Sequence, residues 1–208
     1  MSTTSKSQYK QKILNCLKDY LANFPEESTR LGQLLDQIKN DRNDITSRKN
    51  YKGHLTGSSL FLNPLENKVL LIHHISLDMW IQPGGHLNPL ELPLDGAIRE
   101  FTEEIGINDA NLHSWHHKFT IPLDIDTHYI PANPKKSEPE HFHHDFLYLL
   151  IPYMNSEGNP GTASFDLDVN YRKEELKGLK WVTLDELKNG DYEEKLKRTA
   201  RKLLEIMA

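Results

Sequence analysis

The chain has 208 residues, 37% of them hydrophobic and 26% charged, with 30 acidic against 25 basic side chains and a formal charge of -5. That length suits one domain plus an appendage and is enough to bury a sizeable core. No apolar run approaches the roughly 18 residues of a membrane span, and the acidic surplus argues against a sequence-independent nucleic-acid binder.

Residues 1–50 read as an N-terminal helical extension with its linker, and 51–208 as the main domain. Ile13, Leu14, Leu17, Tyr20 and Leu21 recur at helical spacing up to Phe24-Pro25. Leu31, Leu34, Leu35 and Ile38 make a second stripe after Ser28-Thr29. Such a helical hairpin packs on the main domain or serves as a partner-binding arm, and Asn40 to Gly53 is polar and linker-like. Met1 to Gln11 has no apolar stretch, so no secretory leader is expected. The one cysteine, Cys16, cannot form an internal disulfide or a cysteine-built zinc cage, and it fits a reducing cytoplasm.

The period changes at Leu55. Strands are expected at Gly57–Asn63 and Val69–His74 around a turn at Asn63 to Asn67, then at Met79–Ile81, stopped by Pro83-Gly84-Gly85. A helix is expected over Asp95–Ile105, closed by Gly106 in a left-handed cap. Strands follow at His113–Ile121, Leu123–Ile130 and Phe142–Tyr153, with loops at Pro131–His141 and Asn155–Thr162. Leu179–Val182 is a final strand, Thr183 with Glu186 a capping box for a short helix, and Glu193–Met207 the last helix. This is a mixed sheet with helices on its faces, α/β or α+β.

The chemistry concentrates in Gly85 to Ile107, GHLNPLELPLDGAIREFTEEIGI. Residues three and four apart on a helix share a face, so Glu100, Glu103 and Glu104 crowd together while Ala97, Ile98, Phe101 and Ile105 point toward a sheet. Three carboxylates so spaced repel one another, at the helix end where the macrodipole also disfavours negative charge. A divalent cation among them relieves that repulsion, and all-oxygen donors suit Mg²⁺, with Mn²⁺ as the alternative. Gly84-Gly85 can bring a bare backbone carbonyl to the same ion, and Arg99 can orient a carboxylate, Glu91 or Glu103.

The segment resembles the Nudix box, Gly-x5-Glu-x7-Arg-Glu-U-x-Glu-Glu-x-Gly-U, at Gly85, Glu91, Arg99, Glu100, Phe101, Glu103, Glu104, Gly106 and Ile107. The resemblance implies an α/β/α sandwich around a mixed sheet and hydrolysis of a nucleoside diphosphate linked to another moiety. It implies Glu103 and Glu104 as metal ligands, Glu100 as ligand or base, Arg99 as orienter and Gly84 as carbonyl donor. In many members of that family the base is a loop glutamate outside the box; Glu138 and Glu140 are the candidates here. Pro122, sixteen residues after Gly106, falls near a proline that the family associates with ADP-ribose hydrolysis. A catalytically silent nucleotide sensor is the alternative, although no box carboxylate is lost. An isomerase on the same scaffold would need an active-site cysteine, and Cys16 is far from the box in sequence. The expected partner is a small nucleotide diphosphate, with no nucleic acid and no membrane; homodimerisation stays open.

All eleven histidines lie between His54 and His144. Asp124, Asp126 and His128 alternate along one strand, as do His141, His143 and Asp145 along another. If the two strands pair around the intervening loop, one register sets His128 opposite His141, Asp126 opposite His143 and Asp124 opposite Asp145. Like charges placed opposite are unfavourable. The face is a substrate-pocket wall, an additional His/Asp metal site, or a satisfied polar surface. The segments Gly53 to Thr56 and Trp80 to His86 also resemble a Nudix subgroup, without pointing to a substrate.

Overall fold

The computed structural model describes residues 3–134, 137–153 and 171–207. The loop expected at 155–162 lies outside them. The N-terminal segment forms α1 (Thr3–Asn23) and α2 (Gly32–Asn40), separated by a 3-10 turn at Pro25–Glu27. The central segment forms β1 (His54–Asn63), β2 (Lys68–His74), β3 (Met79–Ile81), β4 (Gly84–His86), α3 (Pro93–Ile105), β5 (Ala110–Leu112), α4 (Ser114–Phe119), β6 (Asp124–Ile130) and β7 (His141–Pro152). The chain closes with β8 (Leu176–Thr183), α5 (Leu184–Asn189) and α6 (Glu194–Met207).

Among the described residues the strands form one mixed sheet. Its backbone runs β3-β2-β1-β7-β5, with β4 on β1, β6 on β7 and β8 on β2. The pairing of β1 with β7 is parallel, from His54 opposite His143 to Phe61 opposite Leu150, and the other pairings are antiparallel. Every residue of β1 is buried, as expected for a strand covered on both faces.

Period-2 alternation sorts the core into layers. Phe61, Leu70, Ile72 and Leu150 pack with Phe101 and Ile105 of α3. Leu55, Ile125, Phe146 and Tyr148 pack with Ala97 and with Tyr9, Ile13, Leu17 and Leu34 of the N-terminal helices. The opposite face, Leu60, Leu62, Val69, Leu71, Leu147 and Leu149, is covered by Leu187, Leu196, Ala200 and Leu203 of α5 and α6. This is the α/β/α sandwich. A Cβ on Gly57 would lie 2.5 Å from the Pro93 carbonyl and 2.9 Å from the Ala97 nitrogen, so this glycine sets how closely α3 approaches β1. Gly106 ends α3 at φ 80°, its N–H donating to the Thr102 carbonyl, and the Thr183 hydroxyl accepts from the Glu186 N–H at the start of α5.

Two expectations change. Asn40 to Gly53 is not a free linker: Asp41, Ile45, Thr46 and Asn50 are buried, and Asn50 donates to Asp41 (2.8 Å) while the Leu55 N–H donates to the Ile45 carbonyl (2.8 Å). The strand expected at His113–Ile121 is instead α4, preceded by the short β5. The His113 ring accepts from the Trp115 N–H as an N-cap. Trp115 and Phe119 then sit at i and i+4 against the core, a helical spacing that the alternating reading overlooked.

His116 locks α4 to the sheet. It is 2% exposed; its Nδ1–H donates to the Ile121 carbonyl (2.7 Å) and its Nε2 accepts the Leu149 N–H (2.9 Å). Burial pushes its pKa down to about 4. The folded protein thus binds this proton less readily than the unfolded chain. The contribution is full above the unfolded value of 6.5 and is lost as pH falls from there through about 4. Urea unfolding should show on the order of 3 kcal/mol of stability lost across that window on account of this side chain. An NMR titration placing His116 near its ordinary pKa would contradict the assignment.

Candidate active site

The packing of Ala97, Phe101 and Ile105 into the core leaves the box carboxylates on the flank of α3 that meets β4. Glu104 is 3% exposed and its Oε2 accepts the Gly84 N–H at 2.9 Å. A Cβ at Gly85 would lie 2.5 Å from the Glu100 carboxyl carbon, so the two glycines form a floor that any side chain would fill. Burial pushes Glu104 up to about 8, opposed by the Gly84 hydrogen bond and reinforced by Glu100. Burial also raises Glu100. Glu103 is the most open of the three.

Arg99 clamps this group from one side. Its Nε and Nη2 donate to the two Glu91 oxygens (2.9 and 2.8 Å), Nη1 to Glu100 Oε1 (2.8 Å) and Glu103 Oε1 (3.4 Å), and Nη2 also to the His86 carbonyl (2.9 Å). These bonds hold Glu91 below the usual carboxylate range. From the other side Arg172 reaches Glu103 and Glu175, each at 3.2 Å. Two guanidiniums therefore serve four carboxylates, Glu91, Glu100, Glu103 and Glu175, while Glu104 is held by the Gly84 N–H. The donor set left over is all oxygen, which fits a hard divalent cation.

The second constellation divides in two. The β6–β7 register is shifted two residues from that expected, with His128 opposite His143, Asp126 opposite Asp145, Asp124 opposite Leu147 and Ile130 opposite His141. Two of the acidic members, Asp124 and Asp126, find cations. Arg198 donates to Asp124 (3.0 and 2.6 Å) and Asp126 (2.8 Å), Lys202 to Asp124 (2.7 Å), and Arg30 pairs with Asp126 (3.4 Å). The Asp126 carboxyl is held far below its usual range: burial opposes ionisation, but the His128 and Arg198 hydrogen bonds overcome it. Asp145 is buried and accepts from Thr56 (2.8 Å), Ser58 (2.6 Å) and Gln82 (3.2 Å). The imidazoles gather separately. His143 has His54, His86 and His141 with ring centroids 4.7, 5.0 and 5.0 Å away, and His128 at 5.6 Å.

Of the loop glutamates, Glu140 accepts from the Tyr129 hydroxyl at 2.6 Å and Glu138 lies 3.9 Å from Arg48. Among the described residues no hydrogen bond or ion pair joins either one to the box carboxylates. Glu140 and His141 line a groove with Gln37, Tyr51 and Tyr129.

Residues 54–205 match the NUDIX domain. The chain belongs to the Nudix family. It is 31% identical over 125 residues to a probable DHNTP pyrophosphohydrolase of Lactococcus lactis subsp. cremoris (strain MG1363), covering 60% of this chain and 70% of that relative. It is 33% identical over 107 residues to the m7GpppN-mRNA hydrolase NUDT17 of Bos taurus, covering 49% of this chain and 33% of the relative's length. The crystal structure of a Nudix-family hydrolase from Clostridium perfringens superposes with a TM-score of 0.50 at 26% identity, covering 74% of this chain and 97% of that one. The protein is thus an enzyme of the Nudix pyrophosphohydrolase class. No helix among the described residues is long and apolar enough to cross a membrane.

Sequence reasoning gave His54 and His86 no role, although the confinement of every histidine to the middle of the chain was the available signal. It also missed Arg30, Arg172, Arg198 and Lys202, whose partners lie up to 182 positions away in sequence. The clamp is directly testable. Arg99→Met strips Glu91 and Glu100 of their charged donor and should lower unfolding stability in urea by about 1–3 kcal/mol. A midpoint equal to wild type would mean that Arg99 does not organise the site.

Proposed function

We propose that this enzyme hydrolyses the diphosphate linkage of a nucleoside diphosphate joined to another moiety, an ADP-ribose-like compound, with Mg²⁺ as its ion and Mn²⁺ as a substitute. The observation that carries the reading is the charge surplus on α3 set over the Gly84-Gly85 floor. Glu103, Glu104, Glu100 and the Gly84 carbonyl are the oxygens that would hold the ion. When bound, it supplies neutralisation of the phosphoryl oxygens and a more acidic water.

The chain's own residues do the rest. Arg99 fixes Glu100 through Oε1, so Glu100 Oε2 is the oxygen placed to take the proton of the attacking water. Glu91, held by Arg99 Nε and Nη2, keeps the guanidinium from swinging out to solvent. The buried seat of Glu104 excludes water from one side of the group. Glu138 and Glu140 are engaged by Arg48 and Tyr129, and Glu140 lines the groove beside the imidazoles, so neither serves proton transfer in this reading. The pyrophosphohydrolase name of the Lactococcus relative supports an anhydride as the bond broken. The full set of box carboxylates favours turnover over a silent sensor. Cys16 sits in α1 with its thiol pushed up to about 12 by burial, which does not suit an isomerase nucleophile. The reading places the enzyme in the cytoplasm and treats residues 1–50 as an extension that helps wall the groove.

The test is a panel of diphosphate-linked nucleotides assayed with Mg²⁺, with Mn²⁺ and with chelator. Release should require the metal. Glu104→Gln should lower kcat by at least about 100-fold, the scale on which even outer partners of a metal site act. Turnover undiminished in chelator or in Glu104→Gln would refute the reading.

A further inference from the structure

The imidazoles beside the carboxylate site have a geometry of their own. His54 ends up next to His143 because β1 and β7 are parallel in that register, and His86 arrives with β4, whose His86 pairs with Thr56. One ring nitrogen from each of His54, His86 and His143 lies within 4.8 Å of the others. His54 is 1% exposed, and its Nε2 is buried with no hydrogen-bond partner among the described residues. A buried lone pair left unmatched is costly, so this nitrogen points to something that would accept it as a ligand.

The far side of the rings supports the same conclusion. His54 Nδ1 faces the Asn50 carbonyl at 3.4 Å and His141 Nδ1 faces the Pro139 carbonyl at 2.8 Å. Both nitrogens therefore carry the proton, and both Nε2 atoms present lone pairs. A ring N–H given to a backbone carbonyl is how metal-binding histidines are oriented. His141 Nε2 is 3.2 Å from His143 Nε2. Two imidazoles on one tetrahedral ion at 2.0–2.1 Å would place their nitrogens about 3.3–3.4 Å apart.

We propose that His54, His86 and His143, with His141 as fourth donor, form a binding site for a transition-metal ion of the zinc class, separate from the carboxylate site. Imidazole donors select borderline ions such as Zn²⁺, whereas the oxygen set selects Mg²⁺ or Mn²⁺, so the two sites sort metals by donor chemistry. They are neighbours. Gly84 and His86 are two residues apart on β4, and the His86 carbonyl accepts from Arg99. An anion such as phosphate is the competing occupant, but it would need protonated rings, which burial opposes.

The test uses the full chain, stripped with chelator and reloaded with Zn²⁺, or with Co²⁺ as a spectroscopic probe. One equivalent should bind per chain, and the Co²⁺ form should show the strong visible absorption of a four-coordinate site. His86→Asn, on a partly exposed strand, and His143→Gln should each weaken Zn²⁺ binding by at least about 100-fold. Circular dichroism confirms the fold, and His86→Asn decides the matter if His143→Gln does not fold. Glu104→Gln should leave Zn²⁺ binding unchanged. Zn²⁺ bound equally well by His86→Asn and wild type would overturn the proposal. So would Zn²⁺ lost only in Glu104→Gln, or binding of inorganic phosphate to the stripped protein with no uptake of Zn²⁺.

Discussion

Like charges forced together on a helix that cannot rotate away constrain the whole site. The apolar side of α3 is fixed by Ala97, Phe101 and Ile105, all fully buried. Burying side chains of that size stabilises by about 1.5–3 kcal/mol for each of the larger ones, more than the few tenths that separate like charges cost on a helix. The core therefore wins, and Glu100, Glu103 and Glu104 stay where the sheet puts them. Arg99 and Arg172 offset part of the repulsion. What they leave uncompensated is the property a cation-dependent hydrolase uses.

A second set of charges is handled in the opposite way. Glu27, Asp124 and Asp126 meet Arg30, Arg198 and Lys202, three acids against three bases. The Tyr20 hydroxyl sits between them, donating to Glu27 at 2.5 Å. This network ties α1, β6 and α6 together, so the two ends of the chain are joined through a buried, balanced cluster. Breaking one partner of such a cluster is costly even where forming it gains little. The contrast between balanced and unbalanced carboxylates separates scaffold from site within one sheet.

Much of this could be read in the sequence because it is local. The box spacing defines α3 and its carboxylate flank, Gly106 its end, and the Asn63 to Asn67 turn the β1–β2 hairpin. The readings that changed depend on distant partners. Alternation in β6 and β7 correctly places their His and Asp side chains on one face, but the register depends on a loop whose length does not dictate it, and the answer differed by two residues. The same alternation could not show that Asp124 and Asp126 would be taken by α6, or that His54 would arrive from β1. His113 to Phe119 misled because adjacent histidines look like strand faces, whereas Trp115 and Phe119 carry the helical spacing.

Two groups of donors with different chemistry thus meet on β4, oxygen on one side and imidazole on the other. The central claim concerns the oxygen side, and the direct measurement is anomalous diffraction from crystals soaked in Mn²⁺. The account predicts a manganese peak bonded by Glu103, Glu104 and the Gly84 carbonyl, with Arg172 drawn off Glu103. A crystal that binds manganese elsewhere, or shows Glu103 and Glu104 still engaged only by Arg99, Arg172 and the Gly84 N–H, would contradict it.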